Sequence, residues 1–368
     1  MNICFRVDSS TLMGSGHVMR CLTLADALRQ HGAEVTFVCR EHPGNLINLI
    51  ENKGYPVARL QPSTPEYDAA PDDVAHAAWL CASWLKDSSD TIAAMGETLP
   101  EWLIVDHYAI DYRWERKLRP YANRIMVIDD IADRPHDCDL LLDQNLYQNM
   151  ETRYDNLVPS ECKKMLGPTY ALIRPEFVYA RNKNRQRDGQ VRRVLVFFGG
   201  VDPTNETEKA LIALSGITVR QFEVDVVVGS GNFHKEQIKN FCEAHVEFHY
   251  HCQVDNMAEL MVAADLAIGG GGATTWERCF LGLPAIVLIV AENQAQTTTT
   301  VAKRGAICCL GHCSHVSFEM IAKAIINALT SPNDLKKMGE KALLLMGDIT
   351  DVSSHLLPEI RSESDRTF

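Results

Sequence analysis

A histidine stands directly after a glycine-containing loop near the start of the chain. The loop, residues 8–16, follows an apolar strand pattern, and apolar residues at helical spacing follow His17. His17 is therefore predicted on the first turn of a helix, where unpaired N–H groups attract phosphate and the helix dipole disfavours a positive imidazole. A neutral His17 beside an anion site could act as a general base. The alternative is a histidine that only hydrogen-bonds phosphate.

Other polar residues are expected close to His17. Gly14 and Gly16 give the loop the freedom to approach an anion, and Arg20, one helical turn beyond His17, could reach a phosphate or be ion-paired. Asp8 and Asp106 end two predicted strands, at the edge where open α/β sheets bind ligands. They could orient His17, bind hydroxyl or amide groups, or simply form turns. Tyr108 could hydrogen-bond a water or pack on the sheet edge.

A second strand, glycine loop and helix occur at residues 267–277. The backbone there can come close to an anion, and Glu277, one turn into the helix, could accept both hydroxyls of a ribose. Tight packing with a helix-stabilising glutamate is the alternative. The residues predicted to bind a nucleotide diphosphate are Gly199, Gly271, Gly272, Ala273, Thr274 and Glu277.

Three groups of residues have the types that bind metals, but none has convincing spacing. Asp129, Asp130 and Asp133 are interpreted as solvated strand-end carboxylates, because helix termini already meet the phosphate charge. His249 and His251 share a strand face but lack a third ligand. The segment 308–315 holds cysteines and histidines without paired Cys-x-x-Cys elements. We therefore expect no metal and no cofactor.

Strand and helix patterns alternate through both halves of the chain, which indicates parallel sheets. The predicted fold class is α/β, with two Rossmann-like doubly wound domains at 1–180 and 194–345. A basic linker at 181–193 separates them, and a polar tail covers 346–368. Arg174 precedes Pro175, so it should sit in an extended connection as a phosphate or carboxylate clamp.

Composition excludes several classes of protein. The chain has 368 residues, 46% of them hydrophobic, enough for two cores. Its net charge of −12 argues against a nucleic-acid or anionic-membrane surface. No apolar run could span a membrane or form a signal peptide, so a cytoplasmic protein is expected. Its twelve cysteines lack framework spacing and should be reduced, and a monomer is expected.

Several segments, in order, resemble the UDP-sugar hydrolases of pseudaminic acid biosynthesis. They are FRVDSSTLMGSGHVMRC at 5–21, VDHYAI at 105–110, IDDIADRPHDCDLLLDQN at 128–145, GPTYALIRPEF at 167–177 and FFGGVDP at 197–203. The segment GGGGATTWERCFLGLPAIVLIVAENQAQT at 269–297 resembles the nucleotide site of that family and of the peptidoglycan N-acetylglucosaminyltransferases. The loop at 61–75 and the tail beyond about residue 340 are longer than the family pattern.

The resemblance implies a GT-B fold, with two domains facing a cleft, and the release of UDP from UDP-2,4-diacetamido-2,4,6-trideoxy-β-L-altropyranose. Water would attack the anomeric carbon with inversion and without a metal. The resemblance makes His17 the catalytic base with Tyr108 beside it, and puts Arg20, Arg174 and Glu277 around the nucleotide sugar.

Two other functions fit the same residues. A glycosyltransferase of the same fold would use His17 to deprotonate an acceptor hydroxyl. A non-catalytic module would only bind the sugar nucleotide.

Overall fold

The computed structural model describes residues 1–61, 70, 73–183, 186–217, 222–347 and 352–361, without the side chains of 352–355 and 361. Most of the predicted excursion at 61–75, and parts of the predicted linker and tail, lie outside the described residues. The strands are β1 Asn2–Val7, β2 Glu34–Arg40, β3 Val57–Leu60, β4 Trp102–Asp106, β5 Arg124–Ile128, β6 Leu140–Asp143, β7 Lys163–Leu166, β8 Arg193–Phe197, β9 Glu223–Val228, β10 Phe248–Cys252, β11 Leu266–Gly270, β12 Ala285–Ile289 and β13 Cys308–His312.

Helices lie between most of these strands, as the sequence predicts, although within the described residues no α-helix separates β5, β6 and β7 and three helices follow β13. The helices are α1 Gly16–Gln30, α2 Ile47–Asn52, α3 Trp84–Met95, α4 Tyr112–Leu118, α5 Pro175–Asn182, α6 Glu206–Ser215, α7 Lys235–Glu243, α8 Met257–Ala263, α9 Thr274–Phe280, α10 Ala295–Lys303, α11 Phe318–Thr330, α12 Pro332–Met346 and α13 Val352–Arg361. A single 3-10 turn, Ala77–Leu80, precedes α3.

The chain forms two compact units, each built on a parallel sheet. The first comprises Met1–Asn145, Asn149–Leu172 and Asp351–Phe368, and the second Leu146–Gln148 and Ile173–Thr350. The strand orders are β3-β2-β1-β4-β5-β6-β7 and β10-β9-β8-β11-β12-β13. The central strands are buried on both faces, which explains their near-continuous apolar sequences. The predicted pair of doubly wound sheets is confirmed.

Strand order fixes where ligands can bind in each unit. In the first sheet the order reverses between β1 and β4, and in the second between β8 and β11. Open α/β sheets bind ligands beyond the carboxyl ends of the strands at such a reversal. The register pairs Val7 with Asp106 and Phe197 with Gly269, so the loops carrying the predicted site residues leave these two points.

The end of the chain belongs to the first unit. Where the sequence predicted a polar tail at 346–368, α12 runs to Met346 and α13 follows. Leu356, Leu357 and Ile360 are buried in the first core, and Trp102 Nε1 donates a hydrogen bond to the Ile360 carbonyl at 3.0 Å. These apolar side chains lie at helical spacing among polar residues. The overall polarity of the segment therefore suggested a tail instead of a helix with one buried face.

The basic stretch at 181–193 is attached to the second unit. Arg187 donates hydrogen bonds to the carbonyls of Met261, Ala264 and Leu281 at 2.7–2.9 Å. The last two carbonyls follow the ends of α8 and α9, where helix carbonyls lack partners. Arg187 therefore satisfies backbone groups that the helices leave open.

Candidate active site

His17 and Asp106 form a hydrogen-bonded pair at the strand-order reversal of the first sheet. His17 lies on the first turn of α1, and its Nδ1 is 2.6 Å from Oδ1 of Asp106, the last residue of β4. Both side chains are buried. An ionised carboxylate only accepts hydrogen bonds, so Nδ1 carries the proton. The lone pair then lies on Nε2, to which no described residue is hydrogen-bonded, and Nε2 can act as a base.

Arg20 holds Asp106 in its ionised form. Its Nε and Nη2 donate to the two oxygens of Asp106 at 2.6 and 2.7 Å, and its Nη1 donates to Asp130 at 2.9 Å. Burial raises the pKa of Asp106, but the charges and hydrogen bonds of Arg20 and His17 outweigh it, and that pKa lies well below its ordinary value. Arg20 was predicted to reach a phosphate. In the structure its guanidinium forms ion pairs with Asp106 and Asp130, which is the other role that the sequence left open.

Tyr108 joins this group through Asp130. Its ring meets the His17 ring edge-on at 4.5 Å between centroids, and its hydroxyl donates a short hydrogen bond to Asp130. Asn145 Nδ2 also donates to Asp130 at 3.1 Å. Burial and the charge of Asp130 raise the pKa of Tyr108 well above its ordinary value. The phenol therefore stays neutral and donates its hydrogen bond to Asp130. Its oxygen can still accept a hydrogen bond from a water.

Two aromatic residues near His17 were missed by the sequence analysis. His76 and Trp79, on the 3-10 turn, have ring centroids 5.6 and 5.7 Å from that of Tyr108, and Trp79 is 6.4 Å from His17. They follow a Pro- and Asp-rich stretch without regular periodicity. Only the i, i+3 spacing of two aromatic rings could have indicated that they share a face.

Asp8 does not contact His17. It lies in a buried ionic network, with Oδ1 2.7 Å from Arg6 Nη1 and 2.6 Å from the Arg40 N–H. Arg6 and Arg40 also bind Asp87. Burial raises the pKa of Asp8, but Arg6 and the neighbouring histidines hold it well below its ordinary value. Asp8 therefore does not orient His17, one of the roles left open for it; its Oδ1 pairs with the buried Arg6 guanidinium and accepts from the Arg40 backbone N–H.

Asp8→Asn is expected to destabilise the protein by about 3–5 kcal/mol, because it removes one carboxylate of a buried ionic network and leaves the Arg6 guanidinium to share Asp87 with Arg40. The free energy of unfolding from urea denaturation measures this. Asp26→Asn is the matched control, since Asp26 pairs with exposed Arg29 and Lys53, and such pairs contribute about 0–1 kcal/mol. Equal losses for the two variants would contradict the assignment.

The second glycine loop is shaped in part by packing. A Cβ on Gly271 would lie 2.1 Å from Thr298 Oγ1, so only glycine fits against α10. Gly272 is less constrained, with Gln294 Nε2 at 3.5 Å from a built Cβ. Ala273 caps α9 and Thr274 is its first residue. The hydroxyls of Thr297 and Thr298 are buried without a hydrogen-bond partner among the described residues.

Glu277 offers an acceptor with no protein donor. Its Oε1 accepts from Arg174 Nε at 2.7 Å, whereas its Oε2 is buried and unpaired within the described chain. Burial raises the pKa of Glu277, and Arg174 opposes that rise. An unpaired buried acceptor costs free energy unless a ligand donor meets it. Arg174 also binds Glu176 at 2.9 Å. Of the two groups that Arg174 was expected to clamp, phosphate or carboxylate, it binds carboxylates in the structure.

Glu277→Gln is expected to weaken UDP binding by about 10- to 100-fold, because a neutral amide accepts ligand hydroxyls less strongly than a carboxylate. Calorimetric titration with UDP measures the change. The control is Glu176→Gln, which removes the other partner of Arg174 and leaves Glu277 in place. An unchanged dissociation constant in Glu277→Gln would exclude Glu277 from the nucleotide site.

The remaining predicted glycines lie in loops beside the strand-order reversals. Gly14 has φ +75°, and its N–H donates a hydrogen bond to the Ser10 carbonyl at 2.8 Å. Gly199 has φ +99°, where glycine is favoured. No atom lies within 4 Å of a Cβ built on Gly14, Gly16 or Gly199. The loop before α1 and the loop after β8 are therefore open at these glycines.

The residues with metal-ligand side chains are engaged by protein partners. Asp129 binds Arg134 at 3.0 Å, His249 binds Glu223 at 2.6 Å, and His251 binds Asp225 at 2.9 Å. Across the described residues, no group of three or more His, Cys, Asp or Glu is arranged to hold a metal ion. Within the same residues, no helix has both the length and the apolar character needed to cross a bilayer.

Comparison with known proteins finds a family match over most of the second unit. Residues 194–351 match the glycosyltransferase family 28 C-terminal domain. This family 28 domain match covers β8–β13 and both predicted nucleotide-binding loops of that unit. Glu277 and the glycine loop lie within the matched residues.

Whole-chain relatives agree with the expected resemblance. The chain is 28% identical to the UDP-2,4-diacetamido-2,4,6-trideoxy-beta-L-altropyranose hydrolase of Campylobacter jejuni, over 83% of this chain and 97% of the relative. It is 26% identical to an uncharacterised protein of Methanocaldococcus jannaschii, over 98% of this chain and 73% of that protein. The expected similarity to the UDP-sugar hydrolase is therefore confirmed.

Solved structures confirm the fold. Acinetobacter baumannii MurG superimposes with a TM-score of 0.62 at 15% identity, over 93% of this chain and 94% of that protein. At such identity the likeness establishes the fold alone. Together with the two parallel sheets, it confirms the predicted GT-B fold class.

Proposed function

We propose that this protein hydrolyses UDP-2,4-diacetamido-2,4,6-trideoxy-β-L-altropyranose to UDP and the free sugar, with inversion and with His17 as the general base. The family 28 domain match, the GT-B fold and the hydrolase relative support an enzyme that acts on a nucleotide sugar. The observation that carries the hydrolytic step is the His17–Asp106 pair, which leaves Nε2 of His17 without a hydrogen-bond partner among the described residues.

The proposed reaction starts from a water held at Nε2 of His17. The water oxygen attacks the anomeric carbon, and the bond from that carbon to the β-phosphate oxygen breaks, so UDP departs with the electron pair. Nε2 takes the proton of the water, and Asp106 stabilises the imidazolium that forms. Tyr108, whose oxygen is free to accept, helps to orient the water. The proton later passes to solvent.

The second unit supplies the nucleotide-binding residues in this proposal. Glu277 Oε2 accepts the ribose hydroxyls, and the glycine loop with Gly272, Ala273 and Thr274 gives backbone access to the diphosphate. Gly199 borders the other loop at the same reversal. UDP is a stable leaving group, so binding of the diphosphate takes the place of a strong general acid.

Hydrolysis in heavy-oxygen water tests the bond that is broken. Attack at carbon puts the label in the released sugar, which mass spectrometry detects. Label in UDP would contradict the proposal, because water would then have attacked phosphorus.

A glycosyltransferase is the second candidate, favoured by the family 28 domain match. In that case His17 would deprotonate an acceptor hydroxyl. UDP release that depends strictly on an added acceptor would support it over the hydrolase. A non-catalytic binding module would bind the nucleotide sugar and release no UDP under either condition.

A further inference from the structure

The 3-10 turn Ala77–Leu80 presents two different faces. Residues three apart are aligned in a 3-10 helix, so Ala77 and Leu80 share one face and His76 and Trp79 share the adjacent one. Ala77 and Leu80 are buried, 5% and 1% exposed, and anchor the turn in the core. His76 and Trp79 are only partly buried. The turn therefore keeps two aromatic rings at the edge of the core instead of inside it.

These two rings extend the aromatic surroundings of His17. Trp79 stacks on Tyr108 with an angle of 29° between the ring planes, and His76 lies 4.6 Å from Trp79 between centroids. Tyr108 in turn meets the His17 ring at 4.5 Å. His17, Tyr108, Trp79 and His76 thus form a continuous ring cluster that includes the proposed base.

The outer part of the cluster carries no net charge at neutral pH. Burial lowers the pKa of His76, the positive charge of Arg134 lowers it further, and the negative charge of Asp133 opposes them. His76 is therefore a neutral ring beside the indole of Trp79. Aromatic side chains in such a setting bind apolar groups well and charged groups poorly.

A sugar attacked by water from His17 would lie about as far from the imidazole as the Trp79 ring does. A general base lies about 3 Å from the water it activates, and the attacked carbon lies about as far beyond that water. A sugar ring attacked by water from His17 is then about 6–8 Å from the imidazole on these spacings. The Trp79 ring centroid, 6.4 Å from that of His17, lies in the same range.

We propose that Trp79 and His76 form an aromatic subsite that binds the methyl-bearing face of the sugar and so selects 6-deoxy acetamido sugars over their 6-hydroxy counterparts. The inference rests on the proposed function and adds the residues that determine its sugar preference. A hydroxymethyl group on that face would bring a hydroxyl against neutral rings that offer it poor hydrogen bonding.

The test compares binding of three probes: UDP, the UDP-linked 2,4-diacetamido-2,4,6-trideoxy sugar, and the 6-hydroxy counterpart of that sugar nucleotide with the same acetamido groups and ring configuration. Calorimetry in a His17→Asn background avoids turnover. We expect Trp79→Ala to weaken binding of the trideoxy probe by about 10-fold, a scale typical of an apolar pocket that recognises a methyl group. UDP affinity should not change, and the preference for the trideoxy probe should disappear. Trp79→Phe, which keeps an aromatic ring, should retain most of the preference for the trideoxy probe.

Trp84→Ala is the matched control. Trp84 is also partly buried at the edge of the same core, but its ring lies under Arg113 instead of beside His17. Its loss should leave the preference intact. A preference that survives Trp79→Ala, or an equal loss of affinity for UDP alone, would overturn the subsite. If the wild-type protein prefers the trideoxy probe but does not hydrolyse it, the proposed function fails and the subsite stands.

Discussion

Replacement of His17 by asparagine is expected to lower the turnover number by about 10²- to 10⁴-fold, the usual contribution of a general base. The Asn amide can still donate to Asp106, as Nδ1–H of His17 does at 2.6 Å. The substitution therefore removes the free ring nitrogen while retaining the hydrogen bond to the buried carboxylate. Steady-state UDP release from the nucleotide sugar measures the loss.

The dissociation constant for UDP should stay within about twofold in this variant, because removal of a group that acts on the reacting water leaves ground-state binding intact. His31→Ala is the matched control: it removes a histidine from the other end of α1, where Nδ1 contacts the Ala27 carbonyl at 2.9 Å. Near-normal turnover in His17→Asn, or a loss confined to binding, would favour a histidine that only contacts the ligand.

Asp106→Asn is expected to lower turnover by roughly 10²- to 10⁴-fold as well, because it reverses the histidine tautomer. An Asn amide donates to Nδ1, which moves the ring proton to Nε2 and removes the base. The amide also loses the charge that Arg20 binds through two hydrogen bonds at 2.6 and 2.7 Å. Arg20 keeps its contact with Asp130, so the guanidinium retains a carboxylate partner.

Nitrogen-15 NMR of the imidazole separates this effect from a general loss of structure. In the wild-type protein the neutral ring should be protonated at Nδ1, and in Asp106→Asn at Nε2. Asp111→Asn serves as a control, since Asp111 caps α4 and contacts Arg113 instead of the histidine. The same tautomer in wild type and Asp106→Asn, with normal turnover, would show that Asp106 does not position the base.

The sequence predicted the sheets, and it gave the orientation of His17 as one possible role of Asp106, because both follow from topology. Apolar runs mark the strands, and residues at the carboxyl ends of neighbouring parallel strands must lie close together. The same argument placed Asp8 with them, and there it failed. Asp8 stands one residue beyond β1, but its Oδ1 pairs with the buried Arg6 guanidinium and accepts from the Arg40 backbone N–H.

The partners of Arg20 could not be predicted from spacing. One helical turn beyond His17 an arginine can reach either a phosphate or a carboxylate. Which of the two Arg20 binds depends on Asp106 at the end of β4 and Asp130 just beyond β5. Likewise, His76 and Trp79 acquire their significance only from contacts with Tyr108, about thirty positions further along the chain. Long-range contacts of this kind leave no local periodicity.

In the second unit, the sequence indicated which loops matter but not the contacts that their residues make. The glycine run and Glu277 were identified from their order along the chain, and the family 28 domain match covers them. That Gly271 packs against Thr298, and that only Oε2 of Glu277 lacks a partner, depends on α10 and on Arg174. Those neighbours lie 27 and 103 positions away, beyond any local pattern.

The most direct measurement is NMR of the purified protein with UDP-2,4-diacetamido-2,4,6-trideoxy-β-L-altropyranose, in the presence of a chelator and without any acceptor. The account predicts that the phosphorus signals of UDP appear together with the free sugar, and that the first anomer formed has the inverted configuration. Saturable binding without UDP release would contradict the claim that His17 activates water. A retained configuration in the first-formed sugar would contradict the single direct attack.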